Sequence, residues 1–313
     1  MNRILVIRRD NIGDLVCTTP LFDALHGRWP DAWIAALVNT YNAEVLDRNP
    51  SLDAVYAYEK KKHRRGSLLA NLIGRVRTVA QLRARKLDYV LVPAATPRSL
   101  RLAASLKPRK IVAAKSARDD SRHEVERIFS LGSSLGLTGA PGPMRVFPDP
   151  EKRRALEKSL GNGPFVAVHI SARQAIRRWP IERYAALIRS IARGERVMLL
   201  WSPGAKDDPR HPGDDAAAAE LIALTSGASV VPLPTPDLAT VTAALSIARC
   251  VVCPEGGTMH LAAALGKPVV ALWGDQPVER WRPWGVPHKV LRPSSGNVAE
   301  IGVDEVARAF ADL

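Results

Sequence analysis

Short apolar runs alternate with amphipathic segments along most of the chain, and this pattern predicts an α/β protein with parallel sheets. In the first half the apolar runs predict strands at 3–7, 33–38, 55–58, 89–92 and 111–113. The amphipathic segments between them predict a helix at 14–27 and the start of another at 43–48. The first half is therefore expected to form one sheet covered by helices.

The second half repeats the alternation. Strands are predicted at 165–170, 197–201, 229–231, 250–253 and 269–273, and helices at 181–192, 214–225, 237–247, 258–265 and 303–313. A passage rich in proline and glycine, 139–150, lies between the halves and is typical of a connector. We expect two doubly wound, Rossmann-like domains, 1–150 and 151–313, with the last helix returning toward the first domain. Such domains bind ligands at the carboxyl ends of their strands, which predicts a cleft between facing strand ends.

Charge narrows the range of partners. The 45 lysines and arginines exceed the 31 acidic residues and give a formal net charge of +14. A balance this basic favours nucleic acid, an acidic membrane surface or phosphorylated substrates, although biased composition explains part of it. No nucleic-acid-binding motif and no interleaved aromatic residues are present, so nucleic acid is not an expected partner.

Targeting signals and cysteines indicate the compartment. The first apolar run is too short for a signal peptide, and no run approaches the ~18 residues that span a bilayer. Cys17, Cys250 and Cys253 do not form a disulfide framework. The last two make a CxxC inside an apolar strand, which favours buried core thiols over a metal site. A soluble cytoplasmic protein without a metal is expected.

The first chemical motif follows the first predicted strand and reads Arg8-Arg9-Asp10-Asn11-Ile12-Gly13-Asp14-Leu15. Gly13 suits a sharp turn, and Asp14 falls at the carboxyl end of the strand, on the side of the expected cleft. An aspartate there can take a proton from an incoming hydroxyl. The alternative is that Asp14 only caps the following helix.

The second motif follows the first strand of the second half. It reads His169-Ile170-Ser171-Ala172-Arg173, then Arg177-Arg178-Trp179-Pro180. Hydroxyl and guanidinium groups after a strand suit phosphate oxygens, through charge-assisted hydrogen bonds. Pro180 is expected in the first turn of the next helix. The alternative interpretation is a solvated basic loop.

The third motif is Pro254-Glu255-Gly256-Gly257-Thr258-Met259-His260, between an apolar run and an alanine-rich segment. This order predicts a strand, a tight glycine turn and the N-terminus of a helix. Free N–H groups and the helix dipole there bind phosphate or diphosphate. In the alternative interpretation, Glu255 only caps the turn and His260 only begins the helix.

Taken together, the motifs resemble those of the family 9 glycosyltransferases, best known for lipopolysaccharide heptosyltransferases. The resemblance rests on Ile12-Gly13-Asp14-Leu15 with Thr19-Pro20, on Asn49-Pro50-Ser51-Leu52-Asp53-Ala54-Val55, on Arg177-Arg178-Trp179-Pro180, on Glu255 to Pro268 and on Gly274-Asp275. It implies a GT-B architecture, with the acceptor on the first domain and a nucleotide sugar on the second. It also implies transfer with inversion and without a metal or other cofactor.

The resemblance assigns roles to residues. Asp14 matches the catalytic base, and Arg177 lies where the family neutralises the leaving diphosphate. The resemblance also implies that the donor is bound by nine residues of the second half: Ser171, Arg173, Trp201, Glu255, Gly256, Gly257, Thr258, Met259 and His260. The family usually has Asp-Ser/Thr-Gly where this chain has Glu255-Gly256-Gly257. The glutamate reaches one methylene further, so the loop leaves the identity of the sugar open.

A cluster of basic residues in the first half points to the acceptor. We expect an anionic glycolipid at the inner membrane surface to contact Gly13, Lys60, Lys61, Lys62, Arg64 and Arg65, which would make the protein peripheral to that membrane. A solvated basic loop is the alternative. The function expected from the resemblance is transfer of heptose from ADP-heptose to the lipopolysaccharide core. Transfer of another nucleotide sugar to an envelope glycan or a protein, and a non-catalytic binding module, remain as alternatives.

Overall fold

The computed structural model describes residues 2–58, 68–114, 121–161, 163–207 and 212–313. Within these residues the chain forms two compact units, Met1–Phe147 and Pro148–Leu313. The basic residues expected at the acceptor, Lys60, Lys61, Lys62, Arg64 and Arg65, lie outside the described residues.

The first unit is built on a parallel sheet. Its strands are β1 (Arg3–Ile7), β2 (Trp33–Asn39), β3 (Ala54–Tyr58), β4 (Tyr89–Val92) and β5 (Lys110–Ala113). Its helices are α1 (Ile12–Val16), α2 (Thr19–Arg28), α3 (Leu68–Ala84), α4 (Pro97–Ser105) and α5 (Glu124–Phe129), with 3-10 helices at Ala43–Leu46 and Ser130–Leu135. The strand order is β3-β2-β1-β4-β5. The order reverses beside β1, so the segment after β1 starts where open α/β sheets bind ligands.

The core of this unit explains why its strands read as continuous apolar runs. Helices cover both faces of a parallel sheet, so side chains on both faces leave water. Leu5, Leu37 and Val90 are fully buried in one shared cluster. Each such side chain contributes about 1.5–3 kcal/mol by leaving water. The central strands therefore make a rigid base for the loop after β1.

The single helix expected at 14–27 is wrong, because the structure divides it into α1 and α2. Pro20 has no N–H to donate to the carbonyl of Val16, and its ring would clash with that carbonyl. Two threonine hydroxyls satisfy the freed carbonyls instead. Thr18 Oγ1 donates to the Asp14 carbonyl at 2.9 Å and Thr19 Oγ1 to the Val16 carbonyl at 2.8 Å. Asp14 consequently lies on a separate, five-residue helix next to β1.

The second unit has a larger parallel sheet. Its strands are β6 (Phe165–His169), β7 (Arg196–Trp201), β8 (Val230–Pro234), β9 (Ala248–Pro254), β10 (Val269–Leu272) and β11 (His288–Leu291). Its helices are α6 (Pro150–Leu160), α7 (Ile181–Ile191), α8 (Asp215–Leu224), α9 (Leu238–Ile247), α10 (Gly257–Ala264), α11 (Val278–Trp281) and α12 (Val303–Ala311), with 3-10 helices at Ala175–Arg177 and Val298–Glu300. The strand order is β11-β10-β9-β6-β7-β8. The order reverses between β9 and β6, so the second and third motifs both start at this reversal.

The C-terminal helix packs within its own unit. Val306 and Ala309 of α12 belong to the core cluster that includes Tyr184 and Ile188 of α7. The helix also contacts β10 and β11. No described helix is long and apolar enough to cross a membrane.

The cysteines are core residues, as the sequence predicts for the CxxC pair. Cys17, Cys250 and Cys253 are free and buried. Burial raises the pKa of Cys250 to about 11. A thiol with a pKa this high stays protonated at neutral pH, so it packs as a small apolar side chain.

Candidate active site

Asp14 lies on α1, directly after the central strand of the first unit. Its Oδ2 accepts hydrogen bonds from the backbone N–H of Asn11 at 3.2 Å and from Asn11 Nδ2 at 3.1 Å. Asp14 therefore does cap its helix, as one of the two interpretations of the sequence expects. Its other oxygen, Oδ1, faces Arg8, and 16% of the side chain is exposed. Gly13 is buried inside α1 and does not form the turn before it.

Arg8 holds Asp14 and is almost completely buried. Its Nη2 lies 2.6 Å from Asp14 Oδ1 and 2.8 Å from Glu124 Oε1, and its Nε lies 3.2 Å from Asp10 Oδ2. Burial alone would lower the pKa of the Arg8 guanidinium, but the carboxylates of Asp14, Asp10 and Glu124 outweigh it, and the pKa is raised. Arg8 is thus a permanent cation shared among three acids.

Glu124 reaches this cluster from α5, 116 residues away in the sequence from Arg8. Its side chain is fully buried. Arg127 donates to both of its oxygens, from Nε to Oε2 at 2.8 Å and from Nη2 to Oε1 at 2.6 Å. Arg127 Nη2 also donates to the Pro93 carbonyl at 3.0 Å, just beyond β4. Glu124 and Arg127 are not among the site residues expected from the sequence, since no local motif marks them.

A positively charged cluster lies near the end of β3 in the same unit. The Arg9 guanidinium lies 4.2 Å from the centroid of the Tyr58 ring, and the Arg75 guanidinium lies 5.1 Å from it. Burial lowers the pKa of Arg9, and the charges of Arg75 and Arg98 lower it further. Burial also raises the pKa of the Tyr58 hydroxyl, so that group stays neutral. The cluster therefore keeps its positive charge uncompensated by the tyrosine.

In the second unit, Arg177 lies between two acidic side chains. Its Nε is 2.7 Å from Glu255 Oε1, and its Nη2 is 3.0 Å from Asp275 Oδ1. Glu255 directly follows β9 and begins the turn, and Asp275 follows β10, so neighbouring strands bring the acids together. Within the described residues, Arg177 Nε and Glu255 Oε1 make no aligned hydrogen bond. The ion pair is close but poorly oriented.

Glu255 is held in an unfavourable place for a charge. Its side chain is 3% exposed. Burial raises the pKa of Glu255 to about 7, against the opposing effect of Arg177. Gly274 makes room for the carboxylate, because a Cβ there would lie 2.9 Å from Glu255 Oε1. Near neutral pH the carboxyl group therefore exists in both protonation states.

The glycine turn after β9 opens α10 as the sequence predicts. Gly256 precedes the helix with φ 148° and ψ −158°, a conformation that favours glycine. The first N–H groups of α10 have no partner within the helix, and the helix dipole adds positive charge there. Thr258 Oγ1 lies 3.4 Å from His169 Nε2, and this contact links the first turn of α10 to the end of β6. The turn has the features of an anion site.

The other expected donor residues differ in accessibility. Ser171 Oγ accepts from the Ser202 backbone N–H at 2.8 Å, and Trp201 Nε1 donates to Asp215 Oδ1 at 2.8 Å. Both therefore also order the loop after β7. Arg173 is exposed. Met259 is fully buried, so only its backbone is available to a donor.

His260 is also buried, and its ring makes an edge contact with Trp281 at a centroid distance of 6.1 Å. Trp281, Asp275 and Asp215 were not among the expected site residues. Of these, Asp275 had a signal, because Gly274-Asp275 belongs to the stretches that carry the family resemblance. Within the described ranges, no group of three or more His, Cys, Asp or Glu residues is placed to hold a metal ion.

Comparison with known proteins identifies similar sequences. The family model described as glycosyltransferase family 9 (heptosyltransferase) matches residues 98–305. Lipopolysaccharide heptosyltransferase 3 of Escherichia coli is 25% identical over 297 residues, which cover 87% of this chain and 83% of that protein. The family match spans the end of the first unit and nearly all of the second.

Solved structures share the fold over almost the whole chain. The glycosyl transferase family 9 protein of Veillonella parvula DSM 2008 matches with a TM-score of 0.86 at 19% identity, covering 99% of this chain and 96% of that one. Escherichia coli heptosyltransferase WaaC, solved with ADP-2-deoxy-2-fluoro heptose, matches with a TM-score of 0.76 at 20% identity, covering 99% of each chain. The expected GT-B architecture of two parallel α/β units is confirmed.

Proposed function

The chain belongs to glycosyltransferase family 9, and on that premise we propose that it transfers heptose from ADP-heptose to an anionic glycolipid of the lipopolysaccharide core. Two comparisons support this choice of substrates. The Escherichia coli relative is named lipopolysaccharide heptosyltransferase 3. The WaaC structure with the same fold holds an ADP-linked fluorinated heptose.

The observation that carries the proposal is the position of Arg177 beside the turn that opens α10. Arg177 lies 2.7 Å from Glu255, and Glu255 precedes the helix by two residues. A guanidinium and a helix N-terminus together suit the diphosphate of a nucleotide sugar. Because the carboxylates of Glu255 and Asp275 hold Arg177 now, the diphosphate replaces them as its partner when the donor binds.

The proposed reaction is a single displacement with inversion. Asp14 takes the proton of an acceptor hydroxyl as that oxygen forms its bond to the anomeric carbon. The bond between the anomeric carbon and the diphosphate oxygen breaks, and its electron pair leaves with ADP. Arg177 and the N–H groups of α10 stabilise the developing negative charge. They supply the positive charge that a divalent cation supplies in metal-dependent transferases, so we propose that no metal is needed.

The first unit is the proposed acceptor side. Arg9 and Arg75 keep a positive charge around Tyr58, which suits phosphate or carboxylate groups of a glycolipid. On α3, Leu72, Ile73 and Val76 are each more than half exposed. Apolar side chains beside arginines suit a peripheral contact with an anionic membrane surface. We therefore place the protein in the cytoplasm, bound to the inner membrane through this unit.

A donor screen tests the second unit. ADP-, GDP-, UDP- and dTDP-sugars are compared for thermal stabilisation of the full chain, since a ligand of the folded state raises its stability. We expect ADP-sugars alone to stabilise the protein, and an Arg177→Met variant to lose the effect. Stabilisation by another nucleotide sugar would overturn the choice of donor. If none of the four raises the thermal stability, a different function is indicated.

An Asp14→Asn variant tests the catalytic role. We expect transfer to fall by about 10²–10⁴-fold while the stabilisation by ADP-heptose is kept, because Asn keeps the shape but not the basicity. The matched control is Asp23→Asn, which changes a carboxylate on α2 that accepts from Ser51 Oγ. Full activity of the Asp14 variant would remove it from the mechanism. We also expect the wild type and the Asp23→Asn control to stay active in EDTA, because the proposed reaction needs no metal.

A further inference from the structure

The buried charge cluster behind Asp14 assigns a role to a residue outside the sequence motifs. We propose that Glu124 is a positioning residue, which sets how much of the Arg8 charge acts on Asp14. This inference rests on the proposed role of Asp14 as the base. It adds a determinant of how well that base works.

The positive charge of Arg8 is shared between two carboxylates, those of Asp14 and Glu124. One nitrogen, Nη2, faces Asp14 Oδ1 at 2.6 Å and Glu124 Oε1 at 2.8 Å. A terminal guanidinium nitrogen has two N–H bonds, so each carboxylate takes one of them. The Arg8 side chain is 2% exposed and that of Glu124 is fully buried, so water does not weaken the competition. The two carboxylates therefore share the charge of one guanidinium, and the loss of either negative charge increases the effect of Arg8 on the other.

Arg127 keeps Glu124 in this position. It donates to both oxygens of Glu124, at 2.8 and 2.6 Å, in the paired arrangement that fixes a carboxylate in orientation as well as place. Its further bond to the Pro93 carbonyl ties the arrangement to the chain beyond β4, the neighbour of β1 in the sheet. Arg127 and Arg8 thus share Glu124 Oε1, while Arg127 alone also holds Oε2, so Glu124 is not free to follow Arg8 toward Asp14.

Loss of the Glu124 charge should make Asp14 a weaker base. The charged and titratable groups around Asp14 include Arg8 and Asp10 after β1, Cys17 next to α1, Glu124 and Arg127 from α5, and Glu44 on the 3-10 helix that contacts α1. Without the negative charge of Glu124, the full Arg8 charge falls on Asp14 and Asp10. A carboxylate held more tightly by a cation accepts a proton only at lower pH.

The test is the pH profile of kcat/KM for heptose transfer by the full chain. For Glu124→Gln we expect the acidic limb to move down by about one pH unit and the plateau to fall about threefold, with the donor KM unchanged. For Arg127→Gln we expect the acidic limb to move up, because Glu124 then draws more of Arg8 away from Asp14. A role limited to structure would lower kcat/KM equally at all pH values.

Matched variants separate the possible outcomes. Glu126→Gln, two residues along α5, keeps the hydrogen bond to the His123 backbone N–H and is expected to leave the profile unchanged. Retained stabilisation by ADP-heptose reports that each variant is folded. If Glu124→Gln does not fold, the inference is tested by the direction in which the acidic limb of the pH profile moves in Arg127→Gln. If the acidic limb of the pH profile does not move in a folded variant while Asp14→Asn is inactive, the inference about Glu124 is overturned and the proposed role of Asp14 stands. An active Asp14→Asn would overturn the proposed base itself.

Discussion

Two buried or half-buried arginines, one in each unit, hold the groups expected to do the chemistry. Arg8 is shared among carboxylates that include Asp14, and Arg177 lies between Glu255 and Asp275. In both places acids of the same unit balance the cation. The two arginines differ in how readily their acidic partners can be exchanged. The Arg8 cluster is closed and buried, whereas the pairing of Arg177 with Glu255 lacks hydrogen-bond alignment and suits exchange for a ligand.

The raised pKa of Glu255 predicts that donor binding takes up a proton. At its pKa of about 7 half of the Glu255 side chains are neutral. The diphosphate of ADP-heptose, which does not titrate near pH 7, adds negative charge beside Glu255 and favours its protonated form. Affinity should therefore fall about three- to tenfold from pH 6 to pH 8. Titration calorimetry in two buffers of different ionisation enthalpy measures the proton uptake.

Two variants check that Glu255 is the source. Glu255→Gln cannot titrate and should bind ADP-heptose with the same affinity at both pH values. Glu279→Gln removes an exposed carboxylate on α11 and should keep the wild-type dependence. If the wild-type protein binds equally well at pH 6 and pH 8, Glu255 does not exchange protons on binding.

At the scale of the elements, the sequence predicts most strands and their order in the chain, because a buried parallel strand is a continuous apolar run. It does not predict β11, whose residues are all half-buried, so the pattern His288-Lys289-Val290-Leu291 carries little periodicity. The break between α1 and α2 was missed although Pro20 marks it. The chain is helical up to Val16 and again from Thr19, so the break spans only two residues.

The residues of the candidate site also include some that the sequence predicts and some that it does not. Asp14, Arg177 and the glycine turn are local motifs at strand ends, and a sequence shows such motifs directly. Glu124 meets Arg8 across 116 residues of sequence, and nothing near Glu124 or Arg127 in the sequence indicates a charge cluster. The Gly274-Asp275 turn is among the stretches that carry the family resemblance, but only the structure pairs Asp275 with Arg177.

The turn before α10 yields a prediction about the backbone. Alanine at Gly256 would meet no atom within 4 Å, so its cost comes from φ 148° alone. We expect Gly256→Ala to destabilise the protein by about 1–3 kcal/mol in urea unfolding and to weaken binding of ADP-heptose. Gly302 precedes α12 in the same way, with φ −74° and open space at its Cβ. Gly302→Ala should change stability by less than about 0.5 kcal/mol. Equal effects of the two would contradict this account of the turn.

At the scale of the whole molecule, the net charge of +14 predicts salt-sensitive binding to anionic membranes. Neutralising Lys60, Lys61, Lys62, Arg64 and Arg65 should weaken sedimentation with phosphatidylglycerol vesicles at low salt and raise the KM for the acceptor. Each cation near such a surface contributes about 1 kcal/mol. The effect should shrink as salt rises, because mobile ions screen the attraction.

A variant of equal charge serves as the control. It neutralises five exposed cations of the second unit, Arg154, Lys158, Arg193, Lys206 and Arg308. If both variants lose vesicle binding equally, total charge matters and the placement in the first unit does not. If neither loses it, the membrane contact is not electrostatic.

The containment of each charge cluster within one unit has a consequence for recombination. Every member of the cluster around Arg8, from residue 8 to residue 127, precedes the boundary after Phe147, and the groups around Arg177 all follow it. A crossover at that boundary moves each of these two ion-pair clusters as a whole and separates none of its charges from their partners. Chimeras that exchange one half with a relative are therefore a practical way to assign donor choice and acceptor choice to separate halves of the gene.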